Sequence, residues 1–244
     1  MEPPQSKDQK MTAGGSAQRE FERRKAKERA AIKRNLPWTV PLVVVLSIAG
    51  GVLADRFLGS FGWMAGLLIA AGLGMELWGT SSHITAYGIG AEGERLTGRV
   101  LDKLDGYIVL HDRKIPGSKA NIDHVAIGPG GVFVIETKNY KGEVTIKGDD
   151  LFVAGRKRTS IVEQTWREAV NVQTVLAEHM ARLAFDVVPV LCIHGCAVPW
   201  KTVQGVRLVG PRGLKKLITK AKPVLSEEDV RALAQVAEGG LKEG

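Results

Sequence analysis

Two long runs without a single charge dominate the first third of the chain. Residues 36–54 read LPWTVPLVVVLSIAGGVLA and residues 57–75 read FLGSFGWMAGLLIAAGLGM; only Asp55 and Arg56 separate them, and Glu76 closes the second. Each run is about 19 residues, which at roughly 1.5 Å per residue just reaches across a ~30 Å hydrocarbon core. The pattern predicts two transmembrane helices forming a hairpin over residues 36–79, with the lipid bilayer as partner. Trp38, Trp63 and Trp78 fall where amphipathic rings favour the membrane interface. Gly50, Gly51, Gly66, Gly72 and Gly74 would let the two helices approach closely. A long polar stretch precedes the first run, which argues against a cleaved signal peptide; a buried soluble hairpin is the alternative. Residues 1–35 form a polar arm whose FERRKAKERAAIKR run sets Arg23, Arg24, Lys25, Lys27, Arg29, Lys33 and Arg34 against Glu22 and Glu28. Such a run marks the cytoplasmic side of a membrane. Two spans return the chain to its starting side, so the reading is a two-pass membrane protein with its N-terminus and everything after about residue 80 in the cytoplasm.

The texture changes in residues 84–244, which read as one folded domain. Gly90–Leu104 has helical spacing, with Leu96, Val100, Leu101 and Leu104 set among charges. YIVLHD and IDHVAIG read as strands either side of the polar loop RKIPGSKAN. The turn Gly128-Pro129-Gly130-Gly131 leads into VFVIETK, whose solid apolar run predicts a central strand buried on both faces. GEVTIKG and LFVAG read as shorter strands, the second ending in the basic turn Arg156-Lys157-Arg158. A long helix over Ile161–Phe185 precedes a buried strand, Val187–Ile193, and a further strand over Val203–Val209. Helices over Pro211–Thr219 and Ser226–Ala237 close the chain, the last with Ser226 as N-cap and Glu227, Glu228 and Asp229 in its first turn. The order α-β-β-β-(β-β)-α-β-β-α-α is a mixed α/β layout.

Composition changes this picture in two respects. The formal net charge is +8 over 244 residues, which suits polyanionic partners such as nucleic acid or anionic lipid without choosing between them. The two cysteines, in Cys192-Ile193-His194-Gly195-Cys196, are too few for a structural zinc site or a disulfide framework. They read as reduced thiols at the end of a buried strand.

Asp123, Glu136 and Lys138 carry the candidate chemistry. Side chains alternate along a strand, so Glu136 and Lys138 share a face. Asp123 lies about as far before the Gly128–Gly131 turn as Glu136 lies after it, so a hairpin places the two acids opposite each other. Two carboxylates and an ammonium thus converge at one end of a sheet. Hard oxygen ligands from Asp123 and Glu136 suit Mg²⁺ (or Mn²⁺), with positions left for water and a phosphate. Such an ion is a Lewis acid that acidifies bound water, and Lys138 could orient that water or stabilise charge on the phosphoryl oxygens. An ordinary ion pair on a strand is the alternative, but charges interrupting a buried run are costly unless paired or metal-bound.

GAEGE before the first helix, NIDHV, GPGGVFVIETKN and a Gln early in the following long helix together resemble the nuclease-related domain (NERD), a branch of the PD-(D/E)xK nuclease superfamily. The likeness runs from about Gly90 to Gly148 and continues more weakly through Gln164 and VVPVLCIHG. The resemblance implies a restriction-endonuclease-like mixed β-sheet core flanked by helices. It also implies metal ligation by Asp123 and Glu136, a catalytic Lys138, Glu94 completing the acidic site through the metal's water shell, and Gln164 near the site. Lys119, Arg156, Lys157 and Arg158 are candidates for contacts to nucleic-acid phosphates. His124 points to the opposite face of its strand from Asp123 and reads as structural; His111 and Asp112 are ambiguous. No Walker motif, GxGxxG or nucleophile elbow is present, which removes the common nucleotide-dependent and serine-hydrolase classes. The expected activity is metal-dependent phosphodiester hydrolysis on a nucleic acid, DNA in the first instance. The alternative is a catalytically silent, membrane-tethered nucleic-acid-binding or protein-interaction module.

Overall fold

A computed structural model describes residues 15–59, 62–116, 121–180 and 183–243. These residues divide into two compact units, one formed by Ala17–Gly88 and one containing Ile89–Gly244.

The first unit consists of helix α1 (Gly15–Leu58) and the first part of helix α2 (Gly62–Leu101). A Cβ added at Gly66 would stand 2.5 Å from the Ser47 carbonyl oxygen, so the absence of a side chain there sets the spacing of the two helices. Gly72 has no such neighbour within 4 Å. The expected pair of membrane-crossing helices is not supported: among the described residues, no helix is long and apolar enough to cross a membrane. Nor do the expected boundaries at residues 35 and 79 coincide with helix ends. α1 carries the polar segment and the apolar run in one helix of 44 residues. α2 continues to Leu101, where the domain's first helix was expected to start near Gly90. Residues 1–14, Lys119 and the side chain of Trp78 lie outside what is described.

The second unit is built on strands β1 (Ile108–Lys114), β2 (Asn121–Gly128) and β3 (Gly131–Asn139), followed by β4 (Val144–Lys147), β5 (Asp150–Val153) and β6 (Arg156–Lys157). Helix α3 (Thr159–His179) leads to β7 (Val187–His194), β8 (Lys201–Val203), β9 (Val206–Val209), α4 (Pro211–Thr219), α5 (Glu227–Gly240) and β10 (Lys242–Glu243). A seven-stranded mixed sheet has the order β10-β1-β2-β3-β7-β9-β8, and β4-β5-β6 form a small separate sheet. β3 therefore sits at the centre, antiparallel to β2 and parallel to β7. Its solid apolar run is explained by that position, because helices cover both faces. Val125, Ile127, Val132 and Val134 pack with α3 and α5 on one face, while Ala126, Phe133 and Ile135 pack with Leu101, Leu214 and Ile218 on the other.

The mixed α/β expectation holds, with one element divided and one shortened: α3 ends at His179 rather than Phe185. The stretch 203–209 is a hairpin rather than one strand, because Gln204 and Gly205 both take positive φ, 48° and 81°, the geometry of a two-residue hairpin turn. Ser226 caps α5 as expected: its hydroxyl accepts from the Asp229 N–H while the Asp229 carboxylate accepts from the Ser226 N–H.

The turn between β2 and β3 fixes the register of the central hairpin. The Gly130 N–H donates to the Tyr107 hydroxyl at 3.1 Å, and that hydroxyl donates to the Ile218 carbonyl at 3.2 Å. The held ring lies directly against Gly128, where an added Cβ would overlap it. Gly128→Ala is expected to destabilise the protein by about 1–3 kcal/mol through overpacking, read by thermal or denaturant unfolding. Unchanged stability would show that Tyr107 can move aside.

Candidate active site

The hairpin register delivers the acids to one place. His124 pairs with Ile135 across β2 and β3, which sets Asp123 opposite Glu136. The Asp123 carboxylate reaches across the ladder and accepts from the Thr137 N–H at 2.7 Å. On its other side the β1–β2 ladder pairs His111 with His124 and Arg113 with Ile122. Between these pairs Asp112 takes a positive φ of 52°, a conformation that Asp tolerates better than most residues. The sheet is thus distorted beside the acids. Asp112 is buried there and accepts from the Asn121 side-chain amide.

Glu136 is 1% exposed, and a carboxylate in that position must be compensated. The Lys138 ammonium, two residues along the same face, donates to its Oε1. Gln164, one turn into α3, donates to the same oxygen at 3.3 Å and to Glu168 Oε1 at 2.8 Å. Glu136 Oε2 and Glu168 Oε2 are buried acceptors with no protein partner. Burial on its own would lower the Lys138 pKa, but the Glu136 and Asp123 carboxylates more than offset it and hold the ammonium above its ordinary value. Lys138 therefore carries a firm positive charge and is no proton acceptor at neutral pH.

The acids around it are shifted toward their protonated forms. Burial, then the charge of Glu136, raises Glu94 to about 7, with Asp112 adding to the rise and Lys138 opposing it. Burial and Glu136 raise Glu168 to about 8. Asp123 is pushed well above the usual carboxylate range by burial, Glu136 and Glu94, against the pull of Lys138 and the Thr137 N–H. Several acids thus crowd one ammonium, and they cannot all ionise without further positive charge.

A divalent cation fits this need. The donors are hard oxygens, and Glu136 Oε2 is an orphaned buried acceptor of the kind such an ion satisfies. Among the described residues, no three His, Cys, Asp or Glu side chains already form a ready ligand set. The protein's share would be Asp123 and Glu136, the remaining positions falling to water and substrate, as Mg²⁺ commonly requires.

Five expected residues therefore meet: Glu94, Asp123, Glu136, Lys138 and Gln164. The basic residues do not join them directly. Lys157 pairs with Asp150 at 2.7 Å, Arg158 lies over the Tyr140 ring at 5.6 Å, and Arg156 is exposed on β6. Glu168 was missed. Its signal was present, since α3 buries Ile161, Thr165, Glu168, Val172 and Leu176, a helical stripe in which a charge is out of place.

The opposite face of the sheet is polar but of another kind. His124 is fully buried, as an inward structural histidine should be, with its Nδ1 2.9 Å from His111 Nδ1, while His111 Nε2 contacts Asp102 at 2.9 Å. His194 Nε2 lies 2.8 Å from the Thr97 hydroxyl. Both cysteines are free, and burial pushes the Cys192 thiol up to about 12, which makes it inert at neutral pH.

Residues 89–196 match the family model described as the nuclease-related domain, NERD, a span that contains Glu94, Asp123, Glu136 and Glu168 and points to nuclease-like chemistry. An uncharacterized protein of Bacillus anthracis is 48% identical over 58 residues, which cover 22% of this chain and 27% of that relative. This chain thus spans little more than a quarter of that relative's length. No solved structure matches the chain.

The raised acids have a consequence for stability. Glu94 and Glu168 keep their protons to about 7 and about 8 when folded, against an ordinary value of 4.5. Between those values the folded state binds more protons than the unfolded one, so this contribution is complete below pH 4.5 and is lost as pH rises to 8. In EDTA the melting temperature is expected to fall from about pH 5 to pH 8, and Glu168→Gln or added Mg²⁺ should each flatten the fall. A slope unaffected by Glu168→Gln would remove Glu168 from the cluster.

Proposed function

We propose that this protein is a metal-dependent nuclease that hydrolyses phosphodiester bonds of nucleic acid, with DNA as the first substrate to test. The observation that carries this reading is the crowding of Glu94, Asp123, Glu136 and Glu168 around one protonated lysine, within a match to a nuclease-related domain. A pure tether for nucleic acid gains nothing from such a cluster, which repels phosphate until a cation intervenes.

Asp123 and Glu136 would hold Mg²⁺ or Mn²⁺, with Glu94 acting through the ion's water. When bound, the ion supplies a Lewis acid for the phosphodiester and acidifies a water for attack. Gln164 orients Glu136 and Glu168 through its amide. Lys138 stays protonated, so its part is to stabilise negative charge on the phosphoryl oxygens rather than to take a proton. Arg156, Lys157 and Arg158, at the start of α3, would contact the flanking phosphates, with Lys119 as a further candidate.

The full chain should cut plasmid, linear or single-stranded DNA with Mg²⁺ or Mn²⁺ and not with EDTA. Lys138→Ala and Asp123→Asn should each lower cleavage on the order of 10²-fold or more, the scale of losing one electrostatic stabiliser, while leaving the protein folded. A folded, metal-binding chain that cuts neither DNA nor RNA would overturn the enzyme.

The same proposal places this activity at a membrane, on its cytoplasmic side. Leu42, Val45, Ile48, Val52 and Leu53 of α1 and Leu67 and Leu68 of α2 each keep more than half of their surface exposed. Apolar area on this scale needs cover, and the uncharged runs 36–54 and 57–75 beside the basic segment match a bilayer. The full chain should float with lipid vesicles and resist alkaline extraction. Recovery in the supernatant without lipid or detergent would exclude the anchor.

A further inference from the structure

A basic surface that the proposed chemistry does not use lies on the opposite face of the central sheet. From Val187 to Ser226 the chain contains no Asp or Glu, while Lys201, Arg207, Arg212, Lys215, Lys216, Lys220 and Lys222 supply seven cations. All seven are exposed, and among the described residues none makes an ion pair. They belong to the β8–β9 hairpin, α4 and the turn after it; Lys201, opposite Leu208 on the edge strand β8, points to the other face of the sheet. This differs from the basic turn at 156–158, where Lys157 is already paired with Asp150.

The surface is concave and has an aromatic wall. A cavity of about 320 Å³ is lined by Phe133, Trp200, Arg207, Lys216, Leu217 and Lys220. That is the low end for ligand pockets, enough for a planar ring and its phosphate and too small for a duplex. Trp200 is 51% exposed, and its ring packs on the α4 backbone at Gly213, where an added Cβ would come within 3.4 Å of it. The indole thus lies beside α4 with half of its surface open. The Lys216 ammonium lies 5.5 Å from the ring centroid, on a flexible stem that can swing onto an incoming phosphate. Phe133 stands three residues before Glu136 on β3 and so faces away from the carboxylates.

We propose that this pocket is a docking site for single-stranded nucleic acid, in which a base stacks on Trp200 while Arg207, Lys216 and Lys220 contact its phosphates. A half-exposed aromatic set among cations that make no ion pair, Arg207 donating only to the Thr202 hydroxyl, is the pairing that sequence-tolerant single-strand binding uses. An anionic lipid surface would use the cations but has no need of the concave aromatic wall. The site holds a flank of the strand away from the carboxylates and stands whether or not those carboxylates cut.

The test is binding of a labelled oligothymidylate to the full chain in EDTA, so that cleavage does not enter. Trp200→Leu should weaken binding roughly 5- to 150-fold, the range for one lost base stack, and Trp200→Phe should restore most of it. Lys216→Ala with Lys220→Ala should lower the slope of log K against log salt by about 1.4, from two lost phosphate contacts. Thermal unfolding of each variant confirms that it is folded. Equal affinity in wild type and Trp200→Leu would overturn the proposal, as would an equal loss on duplex DNA, which offers no free base. So would variants that lose binding to anionic vesicles while keeping the oligonucleotide.

Discussion

Glu136 sits at the centre of a seven-stranded sheet, 1% exposed, and a carboxylate there has to be neutralised by what surrounds it. Lys138 does so along the strand, and Gln164 adds a hydrogen bond from α3. These two donors saturate one oxygen and leave the other without a partner. The rest of the site follows from that imbalance. Asp123 stands opposite with one hydrogen bond from the Thr137 N–H, too little to offset its burial beside Glu136, and Glu94 and Glu168 are likewise shifted toward keeping their protons. A cluster so assembled is poised for a cation, since an ion that ionises the acids also relieves their crowding.

The central hairpin was legible in the sequence because three signals agreed. The Gly-Pro-Gly-Gly turn, the alternation on either side of it and the charges interrupting an apolar run all set one register, and Asp123 meets Glu136 in it. Helix α3 was legible as a helix, and Gln164 was found through the family likeness. Glu168, one turn further on, was not. A carboxylate on a helix is solvent-facing by default, and only its place in the buried stripe of Ile161, Thr165, Val172 and Leu176 identifies it. Asp112 was flagged without a role, because a left-handed residue that breaks a ladder leaves little trace in hydrophobic patterning. The β8–β9 hairpin was read as one strand for a related reason. Its turn is Gln204-Gly205 rather than the Asn-Gly or Asp-Gly pair that signals such a turn.

The N-terminal helices show the limit of pattern reading in another form. Uncharged runs mark apolar surface, but they do not say where a helix starts or stops. α1 and α2 run through the expected boundaries because helix formation is cooperative, and a change from polar to apolar side chains does not interrupt the backbone hydrogen bonds. The close approach at Gly66 and Ser47 was foreseeable from a small residue in an apolar run, whereas Gly72, equally small and in the same run, meets nothing. Small residues permit contact; the phase of the two helices decides which of them uses it.

Charge is distributed over the domain by the same logic that builds its core. The face of β3 that carries Glu136 gathers carboxylates, and the residues that follow β7 contain none through Ser226. Had the cations of 207–222 lain beside the acids, they would have neutralised them as Lys138 does, and the cluster would have no use for a metal. Placed on the far face, they leave the acids uncompensated and remain free themselves to meet a polyanion. Segregating the two charge signs across one sheet keeps both surfaces unsatisfied, each toward a ligand of opposite sign. An even mixture would have given a more ordinary protein surface and no site on either face.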